Sequence, residues 1–269
     1  MEVSIKMDDK ERVAVITGGG RGIGAAAGLR FIKAGFHVYF ADLNFIRAQQ
    51  FVESLKSFQS HAHPLSLDVT SDDSVMEAID IVGKKHGHIN VLINNAGITN
   101  QQPTVETSVS DWQMMIDTHL TGAFRCSKAA FPFLKGATDA SIINVSSIAG
   151  AMGMPIRASY CAAKAGLEGL TRSLATEWSK DGIRVNAVAP GWVLTDLIQK
   201  DLDSGLVSEE LLSSRISLKR LGKPDEIGEV MFFLASNASS YMTGQVLRVD
   251  GGLSIDLNPG NVNAVRTNS

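Results

Sequence analysis

A short apolar strand that runs into a glycine-rich loop constrains the fold of this chain most. Residues 12–17 read RVAVIT, a β-branched run typical of a strand buried on both faces of a sheet. The loop is Gly18-Gly19-Gly20-Arg21-Gly22-Ile23-Gly24, and an apolar helical segment follows it. Glycine lets backbone N–H groups approach a pyrophosphate, whose charge a helix N-terminus favours. Thr17, Gly18, Gly20, Arg21, Gly22, Ile23 and Gly24 are therefore the predicted cofactor-binding residues of this loop.

The rest of the chain alternates strand and helix patterns. Further strands are predicted at 36–41, 61–69, 89–94, 141–147, 183–191 and 244–252. Helices are predicted at 45–58, 71–86, 110–135 and 224–235, with one more that begins near Ser159. This alternation predicts an α/β fold, a single-domain, doubly wound, parallel seven-stranded sheet with helices on both faces. The domain spans 12–255, between an N-terminal extension (1–11) and a C-terminal tail (256–269).

Charge and composition argue against several classes of partner. The net charge is −3 without long basic runs, so neither nucleic acid nor a membrane surface is an expected partner. The N-terminus has no apolar signal segment and no stretch reaches the length of a membrane span, which predicts a cytoplasmic protein. Cys126 and Cys161 are expected to be reduced thiols. His86 and His88 are interpreted as surface residues, and no metal site is expected.

Acidic and small residues follow the predicted strands, where open α/β sheets bind their ligands. Asp42, followed by Leu43, ends the second strand, and its carboxylate suits the ribose hydroxyls of NAD and repels the 2′-phosphate of NADP. Arg21 points the other way, because a guanidinium pairs with such a phosphate. NAD is the expected cofactor and NADP the alternative. Asp68 with Val69, and then Asn95-Ala96-Gly97, extend the predicted cofactor cleft.

A hydroxyl, a phenol and an ammonium recur between residues 147 and 164. Tyr160 and Lys164 are four residues apart and share one face if a helix covers them. Ser147 ends the fifth predicted strand, and the loop between brings it beside them. A Tyr and a Lys at this spacing are common by chance, so the interpretation depends on the nucleotide-binding context.

Several motifs in order resemble the short-chain dehydrogenase/reductase family from about Arg12 to Leu253. They are Thr17-Gly18-x-x-x-Gly22-x-Gly24, Asn94-Asn95-Ala96-Gly97, Ser147 with Tyr160-x-x-x-Lys164, Asn186, and Pro190-Gly191 with Thr195. The resemblance implies NAD(P)-linked oxidoreduction of an alcohol/carbonyl pair and a homotetramer or dimer. It also implies that Pro190, Gly191 and Val193 line the cofactor and that Thr195 meets the nicotinamide carboxamide.

The residue types suit that chemistry. Hydride transfer at a carbinol carbon requires a proton to leave or join the oxygen, which makes Tyr160 the expected acid/base. Lys164, together with the charged nicotinamide, is expected to lower the pKa of the phenol, and its ammonium is expected to hold the nicotinamide ribose. Ser147 is expected to hydrogen-bond the substrate oxygen.

One position departs from the family pattern. Within IDTHLTGAF the family usually has an Asn that keeps the helix distorted and binds a water beside the lysine, and here that residue is His119. An imidazole has a donor and an acceptor but titrates near neutral pH. We predict that His119 keeps a modified proton relay; the alternative is a packing residue.

Substrate specificity is expected in the loops at this edge and in a lid at about 195–221. The candidate substrate residues are Ser147, Met152, Met154, Arg157 and Trp192. The chain also resembles 3-oxoacyl-carrier-protein reductases, but Asp42 favours NAD-linked oxidation of a secondary alcohol, polyol, sugar or hydroxy-ketone. The alternative from another class is a non-catalytic NAD-binding sensor or scaffold.

Overall fold

The computed structural model describes residues 11–205 and 207–256, without the side chains of residues 197 and 201. Most of the predicted N-terminal extension and of the tail therefore lies outside the described residues. No helix in the described part of the chain has the length and apolar character needed to cross a membrane.

Seven parallel strands form one sheet. In chain order they are β1 (Arg12–Thr17), β2 (Phe36–Asp42), β3 (Ala62–Ser66), β4 (Val91–Asn94), β5 (Ser141–Val145), β6 (Arg184–Pro190) and β7 (Val246–Val249). Their order across the sheet is β3-β2-β1-β4-β5-β6-β7. The order reverses direction between β1 and β4, and such a switch point is where open α/β sheets bind ligands at their carboxyl edge. The predicted fold class is confirmed.

The helices alternate with these strands. They are α1 (Gly22–Lys33), α2 (Phe45–Ser54), α3 (Asp72–His86), α4 (Val109–Ile116), α5 (Gly122–Leu134), α6 (Ala158–Trp178), α7 (Asp196–Asp203), α8 (Glu209–Ser214) and α9 (Pro224–Ala235). Ser71 caps α3 as the sequence predicts, because its hydroxyl accepts the N–H of Ser74.

Both faces of the sheet are covered, because successive residues of a strand point to opposite sides. Val13 and Val15 of β1 pack into one apolar layer with α3, α5 and α6. Ala14 and Ile16 pack into the other layer with α1, α2 and α9. All four residues are fully buried, which explains why β1 reads as a continuous apolar run.

The predicted helix 110–135 is not continuous. A turn of π-helix, Asp117–Thr121, separates α4 from α5. The extra backbone residue in such a turn shifts the side chains that follow, and π turns occur often at functional sites. His119 lies in this turn and is buried, so the distortion that the family pattern associates with Asn is present here with His.

The lid segment contains two short helices, α7 and α8, rather than an open loop. Its apolar residues form a small separate cluster, in which Ile198, Leu212, Ile216 and Leu221 are buried. Trp192, predicted to contact substrate, packs against this cluster. Its position connects the end of β6 to the lid.

Histidines meet at the amino-terminal edge of β2 and β3, opposite the carboxyl edge. Nδ1 of His37 lies 3.2 Å from Nε2 of His63, and Nε2 of His86 lies 2.8 Å from the hydroxyl of Tyr39. The ring of His61 stacks on that of His37 with centroids 4.6 Å apart. The interpretation of His86 as a surface residue is wrong, since its side chain is 6% exposed. The fold buries it because α3 ends against β2.

In this histidine cluster (His37, His61, His63 and His86), the pKa values of His37, His63 and His86 are lowered, so protonation of these three is unfavourable. Burial, together with nearby Lys85 and the other histidines, lowers the pKa of His63 to about 4. Burial also lowers the pKa of His37 and of His86. Within the described residues, no three His, Cys, Asp or Glu side chains are arranged to hold a metal ion. The cluster is therefore a packed group of neutral imidazoles.

We predict that the protein loses stability as the pH falls from 6.5 towards 4, because the unfolded chain then binds protons that the cluster excludes. His63→Gln removes the group with the largest shift in the cluster. The variant should show a shallower fall in the free energy of unfolding, by up to about 1 kcal/mol per pH unit after allowing for partial exposure. Urea unfolding from pH 4.5 to 8 measures this.

The range from pH 7.5 to 8 is the internal control, because His37, His63 and His86 are largely neutral there in both states. The difference in unfolding free energy between His63→Gln and the wild type should be constant over that range. An unchanged slope below pH 6 in the variant would contradict the prediction.

Candidate active site

The glycine loop is fastened to the end of β4 at the switch point of the sheet. The hydroxyl oxygen of Thr17 accepts hydrogen bonds from the backbone N–H groups of Asn95 and Ala96, each at 3.0 Å. The side-chain amide of Asn95 donates in return to the carbonyls of Thr17 and Gly18, also at 3.0 Å. These bonds fix the two sides of the cleft relative to each other.

Close backbone approach explains two of the loop glycines. Gly18 has φ +64°, in the region that favours glycine, and a Cβ on Gly24 would lie 2.4 Å from the Gly18 carbonyl oxygen. Gly22, at φ +55°, opens α1 and faces the methyl group of Thr195, to which a Cβ would be 3.6 Å distant. The α1 N-terminus thus borders an open cleft with Thr195 on its other side. Ile23 lies in its first turn.

Asp42 at the end of β2 is buried, and both of its carboxylate oxygens accept hydrogen bonds. Its carboxylate accepts the N–H of Gly20 at 3.1 Å and the N–H of Asn44 at 2.9 Å. Arg47, in the first turn of α2, forms a salt bridge with it at 2.7 Å. The sequence analysis did not identify Arg47. Asn44, whose side chain caps α2, is the sequence signal that places Arg47 near the carboxylate.

The other predicted cofactor residues border the same edge. Asp68 accepts the N–H and the hydroxyl of Thr70 at 2.8 and 2.6 Å, so its carboxylate organises its own turn. Val69 is buried, whereas the Leu43 side chain is 71% exposed. Pro190 ends β6 and Gly191 packs against Asp250, where a Cβ would come within 2.8 Å. Val193 pairs with Gly222 in an isolated bridge and is buried.

Ser147, Tyr160 and Lys164 are brought together as predicted. The Ser147 side chain hydrogen-bonds the Tyr160 phenol. Lys164 is buried and its ammonium donates to the carbonyl of Val145, the last residue of β5, at 2.6 Å. The same nitrogen lies 5.5 Å from the centre of the Tyr160 ring. Tyr160 and Ser147 are half-buried, which leaves them accessible from the cleft.

Burial governs the proton affinities of this group. It raises the pKa of Tyr160, while the Ser147 hydrogen bond and the charge of Arg157 act against that rise. Burial lowers the pKa of Lys164 to about 7, since no carboxylate compensates for its desolvation. The expected lowering of the phenol pKa by Lys164 is therefore not found in this structure. Each buried group disfavours its own charged form.

His119 joins the π turn to the loop after β4. Its Nε2 lies 2.8 Å from the carbonyl oxygen of Ile98 and its ring packs edge-on to Tyr160, with centroids 5.3 Å apart. Burial and the nearby Lys164 lower its pKa to about 3, so the imidazole is neutral across the physiological range. The expectation that it titrates near neutral pH is wrong. Gly97 is required beside it, because a Cβ there would lie 2.5 Å from the ring.

A small enclosed space lies behind the catalytic group. It measures about 10 Å³ and is lined by His119, Lys164 and Asn94 among others. Two buried atoms of these residues, Nδ1 of His119 and Oδ1 of Asn94, have no hydrogen-bond partner. Buried polar atoms of this kind are usually satisfied by water, and this volume is near the lower limit for one molecule. The sequence analysis did not assign Asn94 to the site.

The substrate side is formed by two loops. The guanidinium of Arg157 donates to the hydroxyl of Thr99 at 2.7 Å, which links the loop before α6 to the loop after β4. Met152 is 40% exposed and Met154 is half-buried in the same loop. Thr99 was missed because a lone threonine in a loop carries no sequence signal for this contact.

The cleft fits a nicotinamide dinucleotide. The glycine loop and the N-terminus of α1 would hold the pyrophosphate, since a Cβ at Gly24 would fill the backbone cradle. Asp42 would border the adenosine ribose of such a cofactor, and Asn95, Tyr160, Lys164 and Thr195 would border its nicotinamide. When bound, the nicotinamide would supply the hydride acceptor or donor.

The chain is similar to known proteins over nearly its whole length. A family model described as enoyl-(acyl carrier protein) reductase matches residues 18–254. The 3-oxoacyl-[acyl-carrier-protein] reductase FabG of Thermotoga maritima is 39% identical over 244 residues, covering 91% of this chain and 98% of the relative. The cis-4-hydroxycyclohexanecarboxylate dehydrogenase of Sinomonas cyclohexanicum is 40% identical, covering 90% and 96%.

A solved structure agrees in fold. ElxO with NADP bound superposes with a TM-score of 0.86 at 35% identity, and the match covers 90% of this chain and 98% of ElxO. Family model, relatives and fold together show an enzyme that binds a nicotinamide cofactor and acts on CH–OH groups. This chain belongs to the short-chain dehydrogenase/reductase family of oxidoreductases.

Proposed function

We propose that this protein is an NAD-linked dehydrogenase of small secondary alcohols, a class that includes polyols, sugars and hydroxy-ketones. The observation that carries the proposal is the Ser147–Tyr160 hydrogen bond beside the buried Lys164, at the edge where the glycine loop opens. A non-catalytic binding protein would not require this arrangement.

The residues act as follows in the proposed reaction. Ser147 and Tyr160 hold the substrate oxygen, and the Tyr160 hydroxyl oxygen takes the hydroxyl proton in oxidation or gives a proton in ketone reduction. Since burial raises the pKa of Tyr160, the phenol keeps its proton at neutral pH, so it can act as the acid in ketone reduction and must first lose that proton to act as the base in oxidation. Phenolate formation is favoured by Ser147 and by the positive charge of Arg157, which both act to lower the pKa of Tyr160.

Tyr160→Phe tests the catalytic proposal directly. We expect kcat with secondary alcohols to fall by about 100- to 10,000-fold, because general acid/base catalysis is lost, while NADH binding measured by fluorescence persists. Tyr241→Phe is the matched control, since that tyrosine is fully exposed. If no alcohol or ketone in a broad panel is turned over, or if Tyr160→Phe is as active as the wild type, the enzyme proposal fails.

The preference for NAD rests on Asp42. Its buried carboxylate, positioned by Gly20 and Asn44, occupies the end of β2 where the adenosine ribose is expected. Arg47 neutralises part of that charge. A 2′-phosphate would have to compete with the carboxylate for Arg47 and approach a like charge, which disfavours NADP.

We expect the wild type to use NAD better than NADP and Asp42→Asn to reduce that preference by about 10- to 100-fold. Asn keeps the shape of the side chain and removes its charge. Arg47→Gln should shift the preference in the opposite direction, because the carboxylate is then unpaired. Initial rates with both cofactors measure the ratio of kcat/KM, and a wild type that prefers NADP would contradict the proposal.

His119 is proposed to position the active-site loop and to bind a water in the 10 Å³ cavity together with Asn94 and Lys164. Its Nε2 lies within hydrogen-bonding distance of both the carbonyl oxygen (2.8 Å) and the N–H (3.1 Å) of Ile98, and its buried Nδ1 has no hydrogen-bond partner. A neutral imidazole can accept from such a water through Nδ1 while Nε2–H donates to Ile98. This is the modified relay that the sequence predicts.

His119→Asn should retain most of kcat, because an amide also has a donor and an acceptor. His119→Leu should lose about 10- to 100-fold, because it leaves the Ile98 carbonyl without that donor and releases the loop. Since the pKa of His119 is about 3, the profile of kcat from pH 5 to 9 should keep its midpoints in His119→Asn. A shifted midpoint would show that the imidazole titrates in the reaction.

A second candidate function is reduction of a 3-oxoacyl thioester, which the similarity to FabG supports. The NADP in the ElxO structure supports the same alternative cofactor. One residue argues against this alternative. The resemblance to 3-oxoacyl-carrier-protein reductases implies a basic residue for docking of the carrier protein at position 181. Asp181 is instead a carboxylate, and it pairs with Lys135 at 2.9 Å. Faster turnover of a 3-oxoacyl thioester with NADPH than of any alcohol with NAD would favour this alternative.

We also propose a homotetramer or dimer that works in the cytoplasm. Apolar side chains remain exposed on α4 and α5 in the single chain, notably Trp112, Met114 and Phe124. Exposed apolar surface of this kind is typical of subunit contacts. Both cysteines are free thiols, which agrees with a reducing compartment.

A further inference from the structure

Arg157 stands out among the arginines at the catalytic edge of the sheet. It is half-buried, three residues before Tyr160, and its guanidinium donates to a neutral hydroxyl, that of Thr99. Among the described residues it forms no salt bridge. Four other arginines pair with carboxylates, namely Arg30, Arg47, Arg125 and Arg220, whereas six more described arginines share with Arg157 the lack of a salt bridge. A guanidinium has five N–H donors, so most of those of Arg157 remain available for a ligand.

The backbone around Arg157 is held in an unusual conformation. Ile156, the residue before it, has φ +57°, which is strained for a β-branched side chain. The Ile156 carbonyl accepts the N–H of Gln102 at 2.9 Å, and this bond ties the two substrate loops together. With Thr99 holding the guanidinium from the second loop, Arg157 is fixed from both sides. The fold thus stabilises a charged group in a fixed place.

The residues around Arg157 favour a ligand that carries one negative charge and is otherwise apolar. The loops 98–102 and 148–157 read ITNQQ and IAGAMGMPIR, so Arg157 is their only cation, and they contain no acidic residue. The same loop carries Met152 and Ile156, which are exposed, and Met154, which is half-buried. An ion pair is strengthened by such low-polarity surroundings. The charge of Arg157 acts to lower the pKa of Tyr160, the proposed acid/base.

We propose that Arg157, held by Thr99, binds a carboxylate on the substrate, so that the enzyme interconverts secondary hydroxy acids and the corresponding keto acids. This inference rests on the dehydrogenase function proposed above. In the oxidation, the carbinol carbon would give a hydride to bound NAD⁺ while its hydroxyl would give its proton to the Tyr160 phenolate. The proton that Tyr160 then releases to solvent completes the products, which are ketone, NADH and H⁺. The carboxylate is unchanged. A guanidinium matches a carboxylate with two parallel hydrogen bonds, which fixes the orientation of the carbinol.

The test compares acids with neutral analogues of the same shape. The substrates are secondary hydroxy acids of increasing length, beginning with 3-hydroxybutyrate, each with its primary amide and the matching hydroxyalkyl phosphate. We expect kcat/KM for the best acid to exceed that for its amide. In Arg157→Gln this ratio should fall by about 10- to 100-fold, mainly through a higher KM for the acid, because charged hydrogen bonds are lost.

Three further variants separate recognition from structure. Arg157→Lys should restore part of the acid/amide ratio, since the charge returns without the planar donor set. Thr99→Val should lower the ratio less than Arg157→Gln does. Arg172→Gln makes the same change of charge at an exposed position of α6 and should leave the ratio at the wild-type value.

Each outcome decides between the proposals. If acids and amides are turned over equally, if the hydroxyalkyl phosphates are preferred, or if Arg157→Gln does not change the ratio, the carboxylate inference is wrong and the dehydrogenase function stands. If acids, amides and neutral alcohols all fail with both cofactors, the proposed function itself fails.

Discussion

The bonds of Thr17 to the backbone after β4 are the constraint on which the site depends. They join the two halves of a sheet whose strand order reverses at this point. One hydroxyl satisfies two backbone N–H groups that would otherwise face an open cleft, and each unsatisfied group there would cost about 1–3 kcal/mol. Asn95 completes the connection by bonding the first two carbonyls of the glycine loop. Cofactor loop and catalytic edge therefore form one rigid unit.

The loop after Asn95 continues this series of fixed contacts towards the proposed substrate side. Gly97 makes room for His119, which holds Ile98, and the next residue, Thr99, holds Arg157. The π turn before α5 is what places His119 under this loop. A histidine at this position is thus compatible with the fold, because its second ring nitrogen remains free for the buried polar space. The cofactor loop and the proposed substrate anchor are connected by these successive contacts.

Ionisable groups are desolvated at both edges of the sheet, but the consequences differ between the two edges. At the carboxyl edge, Lys164 is buried without a carboxylate partner, and the protein retains a group whose charged form is unstable there. Perturbed ionisable groups in a cleft are typical of catalytic sites. At the amino edge, the histidine cluster is also desolvated, and His86 lines a separate pocket of about 400 Å³ together with Glu11 and Lys85. The proton affinity of the cluster bears on stability rather than on chemistry.

Much of the fold and part of the candidate site could be predicted from the sequence. Strand and helix periodicity gave the α/β class and all seven strands, because hydrophobic patterning is a local property of sequence. The same holds for Ser147, Tyr160 and Lys164, whose spacing is short and whose helix is regular. Contacts between distant segments could not be read in this way. Arg47 on Asp42, Thr99 on Arg157 and the meeting of four histidines all join residues through the folded chain.

The sequence by itself determined the architecture, the glycine loop and the identity of the acid/base candidates. Only the tertiary structure decided the proton affinities and the break in the predicted helix 110–135. A pKa depends on how far a group is removed from water and on which charges surround it, and neither is encoded in neighbouring residues. This is why Lys164 was expected to lower the pKa of Tyr160, whereas burial dominates both groups. For the same reason His119 is a neutral anchor rather than a group that titrates near neutral pH.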